Sequence, residues 1–497
     1  MTVLLRNATW SGAATAVRAV SGLINALLAV RLLGVEAYGH VATALSVFVL
    51  YLSLNSSVFT VLVSRIMAPG GNDRTGTGTA DAERSGLYAA AATFATASTV
   101  LLMTATLILI ELITRWGLFQ VSDGGLVGRF GMTLFAMSLF TACQILVAFH
   151  SAVIESVGRL DAAMKAQLGG PLAVLGILAV MLTLDIRIDS AHYVAVLCAG
   201  AVVDLSILAL VKRRVAPLSS RSQPGVRRWA PMTALVKSGG MLQAASLMSL
   251  FLEPLNKVLL NYFSGPQVVT TYDLAMKIIW GIQSLFGAAM RVFLQLSGQS
   301  GPVLWRAYSR TLALVGVPVL ASHTASAIFL SWLAHHWIAV DSRQLMTFFV
   351  FATLSNLGMI YVTPLYVSLI GRGDMGFLLR SQTILATTNV AVSSAFVPIL
   401  GLIGAAFGLL CATAYNVAAI YRRHSRISGA PEGIDAALAA IAQRYALTIA
   451  LFAAAIALGL QDPAEPFLQV GVLGALVAIM VREPLVRMLA ERAWRRI

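Results

Sequence analysis

Long apolar runs recur along the whole of this sequence, and most are close to the roughly 20 residues that a helix needs to cross a bilayer. A backbone inside hydrocarbon must satisfy its own hydrogen bonds, so each run predicts an α-helix. The composition agrees, since 58% of the 497 residues are apolar, 11% are charged and the mean hydropathy is +0.82. A soluble chain of this length needs far more charge to cover its surface. The sequence therefore predicts an all-α polytopic membrane protein.

About fourteen runs are long enough to be transmembrane helices. The predicted spans are residues 9–32, 40–64, 86–110, 130–154, 166–184, 191–211, 238–262, 268–296, 308–333, 345–370, 376–398, 401–421, 441–460 and 466–481. An even number of spans places both termini on one side of the membrane. Most of the 35 lysines and arginines fall in connections on that side, which the positive-inside rule makes cytoplasmic. The positive charge thus reports orientation, and no nucleic-acid partner is expected.

The most polar segment, residues 212–237, separates six predicted spans from the eight that follow. This predicts an N-terminal six-helix lobe over residues 1–211, a basic cytoplasmic linker over 212–237 and a C-terminal six-helix lobe over 238–421. Residues 422–497 then form an extra helix pair and a basic cytoplasmic tail.

A weak internal repeat supports the division into lobes. Gly34 and Gly265 each follow a long helix, and a tyrosine, Tyr38 or Tyr272, opens the next one. Two six-helix repeats of the same hand predict two pseudo-symmetric lobes around a central cleft, as in many transporters.

Patterns that would indicate an enzyme are missing from the sequence. The TGTGT run at residues 75–79 lacks the GK[ST] of a phosphate-binding loop. The adjacent His335 and His336 point about 100° apart on a helix, so the two rings do not converge on one metal ion. No connection on the non-cytoplasmic side is long enough for the active site of a sugar polymerase or ligase. The sequence favours moving a substrate over transforming it, and no metal or cofactor is expected.

Four charged residues stand out in the apolar stretch at residues 251–280. Glu253 and Asp273 each lie four residues before a lysine, Lys257 or Lys277, so each pair shares one helix face. Charged groups at membrane depth usually face a bundle interior or a water-filled cavity. Two interpretations stay open and are compatible: structural ion pairs, or lysines that act as point charges for a phosphate.

Three further charged residues within predicted spans are candidates for a functional role. Arg18 either extends back to the cytoplasmic surface or places a cation in the cleft. Asp204, in the sixth span, is either a proton-coupling site or a hydrogen-bonded structural carboxylate. Arg291, like Asn356 and other polar span residues, is typical of contacts between helices.

Several short motifs occur in order along the sequence. They are residues 6–8, 31–39 (RLLGVEAYG), 155–160 (ESVGRL), 256–257 with 272–275 (NK and YDLA), and 400–406 (LGLIGAA). In their order and spacing, between residue 6 and about residue 421, these motifs resemble the Wzx-type polysaccharide flippases of the MATE-like MOP superfamily. The last two spans are similar to the extra pair that many such proteins carry.

The resemblance implies alternating access and a substrate of one class, an undecaprenyl-pyrophosphate-linked oligosaccharide repeat unit. This lipid would cross the bacterial inner membrane during exopolysaccharide or O-antigen biosynthesis, alongside a polysaccharide polymerase and a chain-length regulator. Arg18, Lys257, Lys277 and Arg291 match the cationic cleft residues that meet pyrophosphate in such proteins, with Glu253 and Asp273 beside the two lysines. Coupling to H⁺ or Na⁺ would fall to Asp204.

Three alternatives remain open from the sequence. The first is a cation-coupled multidrug exporter of the same fold, which favours acids and aromatic residues over lysines in its cleft. The second is a lipid II flippase of cell-wall synthesis. The third is a membrane-embedded glycosyltransferase or polymerase.

Overall fold

The computed structural model describes residues 2–67, 79–116, 124–157, 159–215, 251–290, 342–372 and 374–428, with scattered positions at 244, 248 and between 303 and 333. Over these ranges every regular secondary-structure element is an α-helix, as the apolar runs predict. The helices are α1 (Thr2–Leu33), α2 (Val35–Met67), α3 (Thr79–Trp116), α4 (Gly124–Ser156), α5 (Leu160–Ala166), α6 (Gly169–Thr183), α7 (Ser190–Val215), α8 (Glu253–Ser264), α9 (Pro266–Met290), α10 (Ser342–Gly371), α11 (Met375–Leu400) and α12 (Leu402–Ser428).

Apart from the seventh span, in which residues 251–252 form a turn, the predicted spans overlap helices wherever both are described. The first six spans correspond to α1 to α4, α6 and α7, and the eighth, tenth, eleventh and twelfth correspond to α9 to α12. Among the described residues, eight helical stretches are long and apolar enough to cross a membrane, and neither α2 nor α9 is one of them. The seventh and ninth spans are only partly described. The last two spans, the basic tail and most of the 212–237 linker lie outside the described residues.

The chain divides into two compact units, Met1–Lys257 and Val258–Ile497. The division into lobes drawn from the sequence, with its linker at 212–237, stays a prediction. In the first unit, a buried cluster that includes Phe59, Tyr88 and Phe149 joins α2, α3 and α4. In the second unit, the cluster around Trp305 joins α10, α11 and α12. Each unit therefore has an apolar core of its own.

Two glycines link helices in the same way in the two halves of the sequence. Gly34 joins α1 to α2 with φ +85°, and Gly265 joins α8 to α9 with φ +88°. A side chain is unfavourable at these angles, so glycine allows each helix to end and the next to begin within one residue. The tyrosines that follow, Tyr38 and Tyr272, are both buried. The repeat seen in the sequence is thus a repeat of backbone conformation.

The stretch with four charged residues begins at a turn. Phe251 lies in a turn, and α8 starts at Glu253 with Pro254 in its first turn. A helix needs no backbone N–H donor at this position, so proline is well accommodated there. The proline and the first of the charged residues thus lie together at the start of a helix.

Candidate functional site

The first ion pair predicted from the sequence lies on α8. Lys257 Nζ is 2.6 Å from Glu253 Oε1, one helical turn earlier. The lysine side chain is only 7% exposed, whereas the glutamate side chain is 30% exposed. The buried member of this pair is therefore the cation, and the carboxylate is the more exposed group.

The second ion pair lies on α9 and has the opposite burial. Lys277 Nζ donates a hydrogen bond to Asp273 Oδ2. Here the aspartate side chain is 2% exposed and the lysine side chain is 36% exposed. In this pair the carboxylate is buried within the protein, and the ammonium is the more exposed group.

The middle of α9 is enclosed by protein, and this explains the burial of Asp273. Every residue from 269 to 276 is buried, and Lys277 is the first half-buried position after them. A charged residue on a helix enclosed in this way faces the interior of a bundle, which is where intramembrane charges are tolerated. The two side chains balance each other's charge, so the pair can sit at the edge of this enclosed region.

Arg18 is held in the first unit by polar groups that the sequence did not single out. Its Nη1 donates to Gln167 Oε1 at 2.6 Å, and its Nη2 contacts Met164 Sδ at 3.0 Å. Gln167 Nε2 donates in turn to Ser151 Oγ at 2.7 Å, and Ser151 Oγ donates to Glu155 Oε1 at 2.8 Å. A continuous chain of donors therefore leads from a guanidinium on α1 to a carboxylate on α4.

Asp204 is hydrogen-bonded to the start of a neighbouring helix. Its Oδ1 accepts the backbone N–H of Gly170 at 2.5 Å, in the first turn of α6. A carboxylate is favourable there because a helix N-terminus carries unpaired N–H groups and a partial positive charge. Arg18 is close enough for its charge to act on Asp204. This geometry suits a structural carboxylate, and proton coupling at Asp204 stays a prediction.

The contact between Asp204 and α6 depends on close approach of the backbones. A Cβ added to Gly170 would collide with Asp204 Oδ2 and would lie 2.6 Å from Gly200 O. Glycine at both positions lets α6 and α7 pack closely enough for the hydrogen bond to form.

The structure brings together three sets of the predicted residues: Glu253 with Lys257, Asp273 with Lys277, and Arg18 with Asp204. Arg291 lies outside the described residues. Among the described residues, no group of three or more histidine, cysteine, aspartate or glutamate side chains is arranged to hold a metal ion. Nothing in the sequence favoured Gln167 as a partner of Arg18, because the two residues are 149 positions apart.

A second polar cluster lies in the second unit. His323, Asn356 and the Ile279 carbonyl of α9 are connected by hydrogen bonds. Asn356 was expected to join helices, and it does. His323 was not predicted to take part, although a histidine inside an apolar span is a signal that could have identified it.

No family model matches the sequence, and no curated protein matches it. Solved structures do match. An inward-facing multidrug resistance MATE transporter of the MOP superfamily has a TM-score of 0.63 and 16% identity, over 83% of this chain and 96% of its own. The lipid II flippase MurJ, in an inward closed conformation, has a TM-score of 0.63 and 13% identity, over 95% of this chain and 97% of its own.

A third structure, a mutant of the Vibrio cholerae MATE transporter VcmN, has a TM-score of 0.61 and 13% identity over 86% of this chain and 99% of its own. At these identities the similarity shows the fold alone. The chain has the all-helical, multi-pass fold that MATE transporters and MurJ share.

Proposed function

We propose that this protein is a Wzx-type flippase that moves an undecaprenyl-pyrophosphate-linked oligosaccharide repeat unit across the bacterial inner membrane by alternating access. The observation that carries the proposal is the burial of the ion pair on α9. Lys277 is a half-buried cation, and it pairs with the buried carboxylate of Asp273 on the same helix. A transporter fold with a cation held in this way suits an anionic substrate.

The substrate chemistry explains why a protein is needed. The pyrophosphate and sugars are charged and polar, and moving them through hydrocarbon without compensation is prohibitively unfavourable. A cationic path within the protein removes this barrier, while the polyprenyl tail stays among the lipids. The protein moves the lipid without changing its bonds, so no catalytic residue is proposed.

Each cation has a defined role in the proposal. The ammonium of Lys277 meets the pyrophosphate first, because it is the more exposed of the two lysines. Arg18 suits phosphate because a planar guanidinium can donate two parallel hydrogen bonds. Lys257 is buried beside Glu253, so it contacts the substrate only after the helix start rearranges. The termini are cytoplasmic, and the partners are a polysaccharide polymerase and a chain-length regulator.

The experiment uses a bacterial strain that lacks the gene and is complemented with variants. Wild-type protein restores surface polysaccharide. The double variant Lys257→Ala and Lys277→Ala is expected to abolish it at unchanged protein abundance, with lipid-linked repeat units accumulating in the cytoplasmic leaflet. Lys165→Ala, which removes an exposed lysine on α5, serves as the matched control and should export normally. Unchanged export in the double variant would defeat the assignment of the lysines.

The same strain separates the alternatives. Loss of viability on depletion, with lipid II accumulating, would identify a lipid II flippase. Drug resistance on overexpression, with normal polysaccharide in the deletion strain, would identify a multidrug exporter. Elongation of sugar chains by the purified protein would identify a polymerase.

A further inference from the structure

A buried histidine and a buried asparagine form a polar node in the second unit. His323 is 1% exposed and Asn356 is 4% exposed. Asn356 Nδ2 lies 3.0 Å from His323 Nε2 and donates to the Ile279 carbonyl of α9 at 3.4 Å. His323 Nδ1 lies 2.8 Å from the Val319 carbonyl on its own segment. The node therefore links His323 through α10 to the helix that carries Lys277.

The contacts define the protonation state of the imidazole. The Val319 carbonyl can only accept a hydrogen bond, so His323 Nδ1 must carry a proton. Asn356 Nδ2 donates one hydrogen to the Ile279 carbonyl, which fixes the orientation of the amide. The second hydrogen of the same NH₂ group therefore points to His323 Nε2. Nε2 must then accept, and the ring is neutral. The remaining amide oxygen, Asn356 Oδ1, is buried and has no hydrogen-bond partner within the part of the chain that the structure describes.

Adding one proton makes this arrangement untenable. A hydronium ion transfers its proton to the lone pair of His323 Nε2 and becomes water: one O–H bond breaks, one N–H bond forms, and no bond within the ring breaks. Nε2–H then faces the donors of Asn356, which is repulsive. Rotation of the amide by about 180° restores a hydrogen bond, now from Nε2–H to Oδ1, with the added strength of a charged donor. The rotation also removes the amide donor from the Ile279 carbonyl.

The node is therefore a two-state element that acts on α9. Ile279 lies two residues after Lys277, about 3 Å further along the helix axis. The ionisable side chains described on the adjoining helices are Tyr272, Asp273 and Lys277 on α9, and Tyr361 and Tyr366 on α10. On the segment of His323, Tyr308 lies fifteen positions earlier in the sequence. Because His323 is almost fully buried, a proton reaches it only when the surrounding helices separate.

We propose that His323 is a proton-binding site whose occupancy reverses the Asn356 amide and so couples a proton to movement of α9 during transport. This inference rests on the proposed function, and it assigns the driving ion. Ligands bias a two-state element only through a difference in affinity between the states, and the amide rotation supplies that difference for the proton. The site is distinct from Asp204, whose carboxylate is held by a backbone N–H in the first unit.

The transport test uses the full chain in liposomes with a fluorescent polyprenyl-pyrophosphoryl disaccharide as the probe. With one proton moved per probe, a gradient of one pH unit supports an imbalance of about tenfold between the leaflets, reversed when the gradient is reversed. In His323→Gln the probe should still equilibrate, but the imbalance should fall to about onefold. Asn356→Leu, which keeps the size and removes both polar atoms, should behave in the same way. His40→Gln, an exposed histidine on α2, is the control and should keep the full response.

A second measurement requires no transport. Nitrogen NMR of ¹⁵N-histidine-labelled protein in liposomes identifies the His323 signals as those missing from His323→Gln. The expected result is a neutral ring protonated at Nδ1 near neutral pH, and an imidazolium with a shifted Asn356 amide on acidification. If the wild-type protein does not move the probe, the proposed function is wrong. In that case the NMR measurement by itself still tests whether His323 binds a proton. A gradient-driven imbalance that survives in His323→Gln, or a ring that stays neutral throughout, would overturn the inference.

Discussion

The ion pairs on α8 and α9 have the same spacing and order in the sequence, yet their burial is opposite. On α8 the lysine is 7% exposed and its glutamate 30%, whereas on α9 the aspartate is 2% exposed and its lysine 36%. The same pattern therefore presents a carboxylate in one helix and an ammonium in the other. In the proposed function, an anionic substrate would therefore contact Lys277 directly, whereas it would meet Glu253 before Lys257.

The largest expected effect separates the two lysines. Lys277→Gln should slow movement of a pyrophosphate-linked lipid by about 100-fold, because a hydrogen bond between charged groups contributes up to about 3 kcal/mol. Lys257→Gln removes the same charge from a less accessible place and should slow movement by less than about tenfold. Flipping of the labelled lipid in liposomes measures both rates. An equal loss of flipping rate in Lys277→Gln and Lys257→Gln would show that the different exposure of the two lysines has no functional consequence.

The next effect concerns the two acids and the stability of the fold. Glu253→Gln removes the carboxylate that compensates a buried ammonium, and should lower the free energy of unfolding by about 2 kcal/mol. Asp273→Asn leaves a lysine whose side chain is more exposed, and should lower the free energy of unfolding by less than about 1 kcal/mol. Thermal unfolding of the purified variants in detergent gives the comparison. A larger loss of stability in Asp273→Asn than in Glu253→Gln would show that burial of the lysine does not control the cost of removing its carboxylate.

Asp204 extends the comparison to an acid held by backbone. Gly170→Ala places a methyl group against Asp204 and the Gly200 carbonyl, and should cost about 1 to 2 kcal/mol through separation of α6 and α7. Gly176→Ala, on the same helix, meets no atom within 4 Å and should leave stability unchanged or slightly raised. Unfolding temperatures of this matched pair test whether close packing supports the carboxylate.

The smallest expected effect concerns Arg18, a cation held by a neutral amide. Gln167→Leu removes the acceptor that orients the guanidinium, and should raise the KM for the labelled lipid about fivefold, which corresponds to one modest hydrogen bond. Gln144→Leu, at a half-buried glutamine on α4, is the control. If Gln167→Leu changed only the maximal rate and left the KM unchanged, Gln167 would not act by orienting Arg18 for substrate binding.

Much of the fold followed from local chemistry. Apolar runs of membrane-crossing length predicted the helices, because a backbone in hydrocarbon has few other solutions. Gly34 and Gly265 marked the turns because each needs a positive φ. The pairs Glu253–Lys257 and Asp273–Lys277 were equally predictable, since residues four apart on a helix are neighbours whatever surrounds them.

The polar clusters could not be predicted in the same way. The partners of Arg18 come from residues about 150 positions away in the sequence, and Asn356 finds His323 across 33 positions. Such contacts depend on how helices rotate and pack, which local spacing does not encode. A polar residue within a span signalled that a partner must exist without saying which one.

The sequence alone determined that this chain crosses a membrane many times and where its helices turn, because length, hydropathy and glycine act locally. Only the tertiary structure decided which member of each ion pair is buried, and that His323 lies against Asn356. The physical reason is that the exposure of a charge depends on the neighbours packed around its helix, and those neighbours come from distant parts of the chain.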